Sequence, residues 1–259
     1  MEKNKMDSLL IKYRSVIQNL PANYFDEKLL MDRDGKLSIY YAPFEYINPD
    51  AKVVIVGITP GRTQMMNALR EAKNQLNAGA DNHTVLRQAK LTGAFSGTLR
   101  NNLVNLLDHI GINQWLNIDT TEHLFGRMAH LAQTASVLSY PVFVDGKDYN
   151  GTPNMLRHPL LKKYLRDYFG KQAQEFNRSL FIPLGDKPKE ALDFLSAEGI
   201  IDKDKILSDL PHPSSANAER IAYFLGRKNK ESLSAKTNPQ KIDIARQEIM
   251  NKMSIIIEK

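Results

Sequence analysis

The sequence predicts an α/β protein built on an open parallel sheet with helices on both faces. Three observations lead there. The apolar runs VVIV at 53–56 and LFIPL at 180–184 are continuous rather than alternating, as strands covered on both faces require. Each run ends in a glycine-containing loop, followed by residues with helical spacing of apolar positions. Strand, loop and helix then recur along the chain, the order that builds a parallel sheet through right-handed crossovers.

Residues 7–20 predict an amphipathic helix with Leu10, Tyr13, Ile17 and Leu20 on one face. LSIYY at 37–41 reads as a strand after the Asp34-Gly35 turn. The run at 53–56 is the central strand. Residues 65–77 read as a helix with Met65, Leu69, Ala72 and Leu76 inward. Ser96-Gly97 opens another, striped by Leu99, Leu103, Leu106, Leu107 and Ile110 and ended by Gly111. The next strand lies in HLAQTASVL or in the following YPVFV; the pattern does not separate them. A helix at 156–169 has Pro159 in its first turn, where proline is tolerated. SLFIPLG at 179–185 is the next strand. Asp186 then caps a helix with Ala191, Leu192 and Leu195 inward, closed by Gly199. KILSDLPHPSSAN carries a short strand into a proline-rich loop, and residues 217–226 form the next helix. One domain over 1–259 is the simplest division. Its core spans about 50–226, with an N-terminal helix-and-strand extension at 1–49. A helical insertion at 62–93 and a C-terminal helical extension at 227–259 complete it.

Charge and cysteine narrow the chemistry. The 35 lysines and arginines against 29 acids give a net charge of +6, which permits a polyanionic partner. With no cysteine, the chain has no disulfide, zinc-thiolate site, cysteine-ligated iron–sulfur cluster or cysteine nucleophile. Apolar runs are too short to span a membrane. The first residues scatter charges and lack an apolar signal core, so a cytoplasmic protein is expected.

Two loops hold the most specific residues. Parallel topology puts the loops after Val56, Leu184 and Leu210 on one sheet edge. The first loop is Gly57-Ile58-Thr59-Pro60-Gly61; as a strand-to-helix turn it matches no phosphate-binding fingerprint. The third is Pro211-His212-Pro213-Ser214-Ser215-Ala216-Asn217. Two prolines stiffen the backbone around His212, which suits a side chain that must be aimed. Ser-Ser-Ala-Asn is also helix-cap composition.

Taken together, GITPG at 57–61 and HPSSAN at 212–217 resemble the paired motifs of the uracil-DNA glycosylase superfamily. Those motifs take the forms Gly-x-(Asp/Asn/Ala)-Pro-(Tyr/Gly/Ala) and His-Pro-Ser-Pro. AFSGTLRNNLVNLLDHIGI at 94–112 is similar to that family's Pro-Phe-x-Gly segment and leucine-rich helix, and SLFIPLGDKPKEAL to its third core strand and helix. The resemblance covers roughly 50–226. It implies a three-layer α/β/α sandwich around a central, mainly parallel four-stranded sheet.

The resemblance further implies a monofunctional DNA glycosylase. Such an enzyme flips a uracil-derived or C5-modified pyrimidine out of DNA and hydrolyses its N-glycosidic bond, in base-excision repair or in defence against modified phage DNA. DNA is the implied partner; a monomer without cofactor or metal is expected. His212 would donate a hydrogen bond to the leaving base. Phe95 would stack on the base, with backbone groups at Gly57, Ile58 and Thr59 contacting base or water. Thr134 and Ser136 stand near the position of the usual base-reading asparagine. Gly61 stands where the uracil-specific branch has a tyrosine, and implies open space beside C5. Thr59 replaces the usual water-positioning Asp or Asn: either it orients water itself, or a carboxylate such as Asp145 or Asp148 serves. Ser214, Ser215, Asn217 and Arg220 would meet the DNA backbone. Arg62, Arg70, Lys73, Arg87 and Lys90 either extend that surface or form an ordinary solvated helix face; Arg227, Lys228 and Lys230 pose the same choice. Two alternatives remain: a non-catalytic nucleic-acid-binding module on a glycosylase scaffold, and a small-molecule hydrolase on a generic α/β sheet.

Overall fold

The computed structural model describes residues 3–21, 23–92 and 97–258. In chain order, helix α1 (Lys3–Gln18) leads to strands β1 (Leu30–Asp34), β2 (Leu37–Tyr40) and β3 (Val53–Gly57). Helices α2 (Arg62–Asn77), α3 (Asn82–Thr92), α4 (Gly97–His109) and α5 (Ile112–Trp115) follow, then strands β4 (Ala132–Ser136), β5 (Val142–Val144) and β6 (Lys147–Asp148). The last part holds α6 (Pro159–Tyr164), α7 (Lys171–Glu175), β7 (Leu180–Pro183), α8 (Asp186–Ala197), α9 (Ala218–Phe224) and α10 (Pro239–Ile257). No helix among the described residues is long and apolar enough to cross a membrane.

The chain is thus mixed α/β, with two sheets. Its contacts gather into two compact units, each made of three separated stretches: Met1–Ile47, Ile58–Ala94 and Ser136–Gln172 in one, Asn48–Gly57, Phe95–Ala135 and Ala173–Lys259 in the other.

The second unit holds the expected parallel core. Its sheet runs β4-β3-β7, with β3 and β7 parallel and Val53 opposite Leu180, Ile55 opposite Ile182. Val53 to Val56 are all fully buried, as the continuous apolar run requires. Leu103, Leu106, Leu107 and Ile110 of α4 join Val53, Ile55 and Ile182 in one apolar cluster, with Ile221 and Phe224 of α9 and Ile249 and Met253 of α10. Burial of such side chains is worth about 1.5–3 kcal/mol each before chain entropy is charged against it. The expected fourth strand shrinks to one parallel bridge, Phe181 to Ile206. A tight helical turn at Lys203–Lys205 precedes it, and Asp209 follows with φ +73°, so the backbone is extended only briefly. The helix after β7 also differs from expectation at its start: Gly185, with φ +94°, is the N-cap and Asp186 is the first helical residue.

The first unit contains a sheet that the sequence reading does not contain. Strands β1, β2, β5 and β6 form an antiparallel array, with Asp34 opposite Leu37 and Ser38 opposite Phe143. The choice between HLAQTASVL and YPVFV resolves as both: the former supplies β4 and the latter β5. Asp145-Gly146, both at positive φ, form the two-residue turn between β5 and β6. Helices α2 and α3 pack on each other and on α1, burying Leu10, Ile17, Met65, Leu69 and Val85. Residues 165–170 extend α6 as a wider π-type turn.

Candidate functional site

In the second unit, strand geometry sets where His212 stands. The Leu184 N–H donates to the Val56 carbonyl at 2.9 Å, so Gly185 begins where β3 ends at Gly57. The His212 ring covers Gly185: a Cβ built there would meet His212 Cδ2 at 3.4 Å. The loops after Leu184 and Leu210 therefore meet, as parallel topology predicts. Asn102 of α4 donates to the Pro213 carbonyl at 2.9 Å and ties the histidine loop to the core.

The ring's protonation follows from its neighbour. The Ser214 backbone N–H donates to His212 Nδ1 at 3.2 Å. An acceptor Nδ1 carries no proton, so the neutral ring holds its N–H at Nε2. Burial pushes the imidazole below its ordinary value, which favours that neutral form. Among the described residues nothing accepts the Nε2 proton.

The row behind His212 is internally bonded. Asn217 donates to Ser214 Oγ at 3.1 Å, and Arg220 donates to Asn217 Oδ1 at 3.1 Å. Ser215 is exposed, and Thr134 is half-buried on β4. Neighbouring Gln133 is buried and accepts the Asn48 N–H at 3.0 Å. Phe95 lies outside the described residues.

Ile58, Thr59, Gly61 and Ser136 belong to the first unit, whereas Gly57 belongs to the second. The half-buried Ile58 accepts from the Leu138 N–H at 2.9 Å. Thr59 is a staple. Its hydroxyl donates to the Tyr140 carbonyl at 2.9 Å and accepts from the Val142 N–H at 3.1 Å. The single hydroxyl proton is therefore engaged, and one lone pair remains. Valine at Thr59 is expected to cost about 1–3 kcal/mol, because two backbone groups lose their partner. Urea unfolding of Thr59→Val checks this, and an unchanged midpoint would mean that the staple holds nothing.

Gly61 does not leave open space, contrary to expectation. A Cβ there would lie 2.9 Å from Asp148 Oδ2, so the carboxylate fills the gap. The short β5–β6 hairpin puts it there. Asp148 Oδ1 accepts the Arg62 N–H at 3.0 Å, at the first turn of α2. Asp145 instead pairs with Lys36 at 3.1 Å on the exposed side of the sheet.

The lysines and arginines at 62–90 are not one solvated face. The Arg62 guanidinium lies over the rings of Phe25 and Phe143, 5.2 and 4.6 Å from their centroids, and donates to the Gly146 carbonyl. Lys73 donates to the Leu20 carbonyl at 2.7 Å, and Arg70 bonds Asn67. Lys90 is buried. Arg87 is exposed. In the second unit, Arg227 donates to Asn105 and Lys228 pairs with Glu219.

Sequence reasoning missed one group altogether. Glu45 is 2% exposed, Lys90 9%, and the rings of Tyr41 and Tyr140 stand beside them. The Tyr140 hydroxyl donates to Glu45 Oε1 at 3.3 Å, and Lys90 Nζ donates to the Phe44 carbonyl at 2.8 Å. Burial raises the Glu45 carboxyl to about 8 and lowers the Lys90 ammonium to about 8. An acid between two aromatics, Phe44-Glu45-Tyr46, is the only signal the sequence offered.

Among the described residues, no group of three or more histidines and carboxylates could hold a metal ion. No family model and no solved structure matches the chain. A protein of Bacillus subtilis (strain 168), described as "Uncharacterized protein YoxB", is 35% identical over 237 residues, which cover 87% of this chain and 91% of that protein. A likeness of that depth along nearly the whole length of both chains means that this protein belongs to the YoxB family.

Proposed function

We propose that the protein is a monofunctional DNA glycosylase acting on a uracil-derived pyrimidine. The observation that carries this is the state of His212: stiffly held, neutral, and with no acceptor for its Nε2–H among the described residues. Hydrolysis breaks the bond between C1′ and the base nitrogen, and the electron pair leaves with the base. A neutral donor aimed at a base oxygen stabilises that charge without having to surrender a proton. Water supplies the oxygen that bonds C1′, and its proton ends on the base or in solvent. Within the first unit, Thr59 keeps one lone pair beyond its bonds to the Tyr140 and Val142 backbone. The parallel β3–β7 pair supports the expectation of a three-layer, glycosylase-like sandwich, with the fourth strand reduced to the bridge from Phe181 to Ile206. The net positive charge supports DNA as partner, met by a cytoplasmic monomer.

Thr59 also favours a second reading. A hydroxyl whose proton is already engaged is a weak substitute for a carboxylate base, as in a binding module that performs no chemistry. Oligonucleotides carrying uracil, mismatched thymine or C5-modified cytosine, incubated with the protein and then treated with alkali, separate the two. Strand breaks at a modified position are the expected result. Intact strands across the panel, with salt-dependent binding retained, would establish the binding module instead.

A further inference from the structure

The peptide that joins Pro213 to Ser214 is engaged at both of its polar atoms. Its carbonyl accepts from Asn102 Nδ2 at 2.9 Å, and its N–H donates to His212 Nδ1 at 3.2 Å. A carbonyl only accepts, so the Asn102 amide has to turn its nitrogen toward it. The peptide is planar and trans, with C=O and N–H pointing opposite ways. Fixing the direction of the carbonyl therefore fixes the direction of the N–H, and with it the ring nitrogen that must accept. A donor on the carbonyl also polarises the peptide and strengthens its N–H as a donor. Asn102 stands on α4, which Leu103, Leu106 and Leu107 anchor in the apolar cluster. The grip on the histidine loop thus comes from a core helix, and both belong to the second unit. A second grip acts on the Ser214 side chain. Asn217 is the N-cap of α9, yet its side chain makes no cap bond. It donates to Ser214 Oγ instead and accepts from Arg220.

Building on the glycosylase reading, we propose that Asn102 is a positioning residue that acts on the reaction through His212. It keeps Nδ1 an acceptor and thereby leaves the ring proton on Nε2, where the leaving base would need it. Without Asn102 the Pro213–Ser214 peptide is free to rotate, and Nδ1 loses the donor that selects the tautomer. A neutral ring with its proton on Nδ1 has only a lone pair at Nε2 and opposes a developing anion instead of stabilising it. Asn217 steadies the same peptide from the side-chain end.

The test reads the ring directly in the full chain. With isotope-labelled histidine, long-range proton–nitrogen correlation NMR shows which ring nitrogen holds the proton, and His212→Ala assigns the signal. At neutral pH His212 should be a single tautomer protonated on Nε2. Asn102→Ala suits the helix, and Asn102→Leu keeps the size of the side chain while removing the donor. In either variant the ring should become a mixture of the two tautomers. Asn102→Ala should also slow base release about tenfold with KM unchanged, the loss of one hydrogen bond. In protein that already carries His212→Ala it should slow release no further, because it acts through the ring. A parent ring protonated on Nδ1, a tautomer unchanged in both variants, or rate losses that add in the double variant would each overturn the positioning role. Base release that ignores both Asn102 variants would sink that role and leave the glycosylase standing. A tautomer that depends on Asn102, without release from any oligonucleotide, would do the reverse.

Discussion

Alanine at position 212 is expected to slow base release by roughly two to three orders of magnitude, the effect of losing one donor aimed at a developing anion. Folding and DNA affinity should change little, because the imidazole's one hydrogen bond is accepted from the Ser214 N–H, a group near the surface. Single-turnover kinetics with protein in excess would measure the chemical step directly. A rate within a factor of three of the parent would remove His212 from the reaction. The acid limb carries a second signature. Protonating the ring puts a proton on Nδ1, where it opposes the Ser214 N–H and turns the aimed ring loose. Release should therefore be flat near neutrality and fall as pH drops through the depressed folded value of His212. Stability follows the same sign. Below the ordinary histidine value the unfolded chain takes up a proton that the folded chain refuses, so stability is lost as pH falls through that window.

Glu45→Gln should show the largest effect on stability. Between the ordinary 4.5 and about 8, the unfolded chain has released the Glu45 proton and the folded chain retains it. Folded protein then binds more protons than unfolded, and stability falls as pH rises, by up to about 1.4 kcal/mol per unit. Glutamine copies the protonated acid and abolishes that slope. Relative to the parent, the variant should gain on the order of 2–4 kcal/mol between pH 5 and 8. Lys90 acts in the opposite sense above this window: between about 8 and 10.5 the unfolded chain holds a proton that the buried amine has lost, so stability recovers as pH rises. Denaturant unfolding of both proteins at pH 5 and pH 8 gives the double difference and cancels titrating groups that do not interact with Glu45. A difference independent of pH would mean that Glu45 is ionised in the folded protein.

What the sequence reveals here depends on the range of the forces involved. The strand at 53–56 and the stripe from Leu103 to Ile110 were legible because periodic burial marks them locally. The stiffness around His212 was legible from Pro211 and Pro213. The Thr59 staple was not, because its partners Tyr140 and Val142 lie some eighty residues away and offer only backbone atoms. Asp148 stood out as an acid in a turn, yet its place against Gly61 depends on a hairpin in a sheet that sequence periodicity did not announce. Strand β1, LMDRD, is mostly polar, and β5 has only three residues, too few for either to show a period. Lys90 fits the inward face of α3 by spacing, but a lysine at such a position reads as surface until its buried carboxylate neighbour is known.

The three-stretch construction of each unit bears on how the chain is made. Synthesis delivers residues in order, so the antiparallel-sheet unit cannot close before residue 172 has emerged, and the parallel-sheet unit lacks α10 until residue 257 has emerged. Strand β3 leaves the exit tunnel more than a hundred residues ahead of its partner β7. An apolar strand thus waits with one edge open after β4 has emerged and until β7 follows, exposed to other nascent chains meanwhile. The same interleaving defeats a truncation approach: any cut that removes one unit also severs the other, so shorter versions for expression have to be built by circular permutation or by pairing fragments.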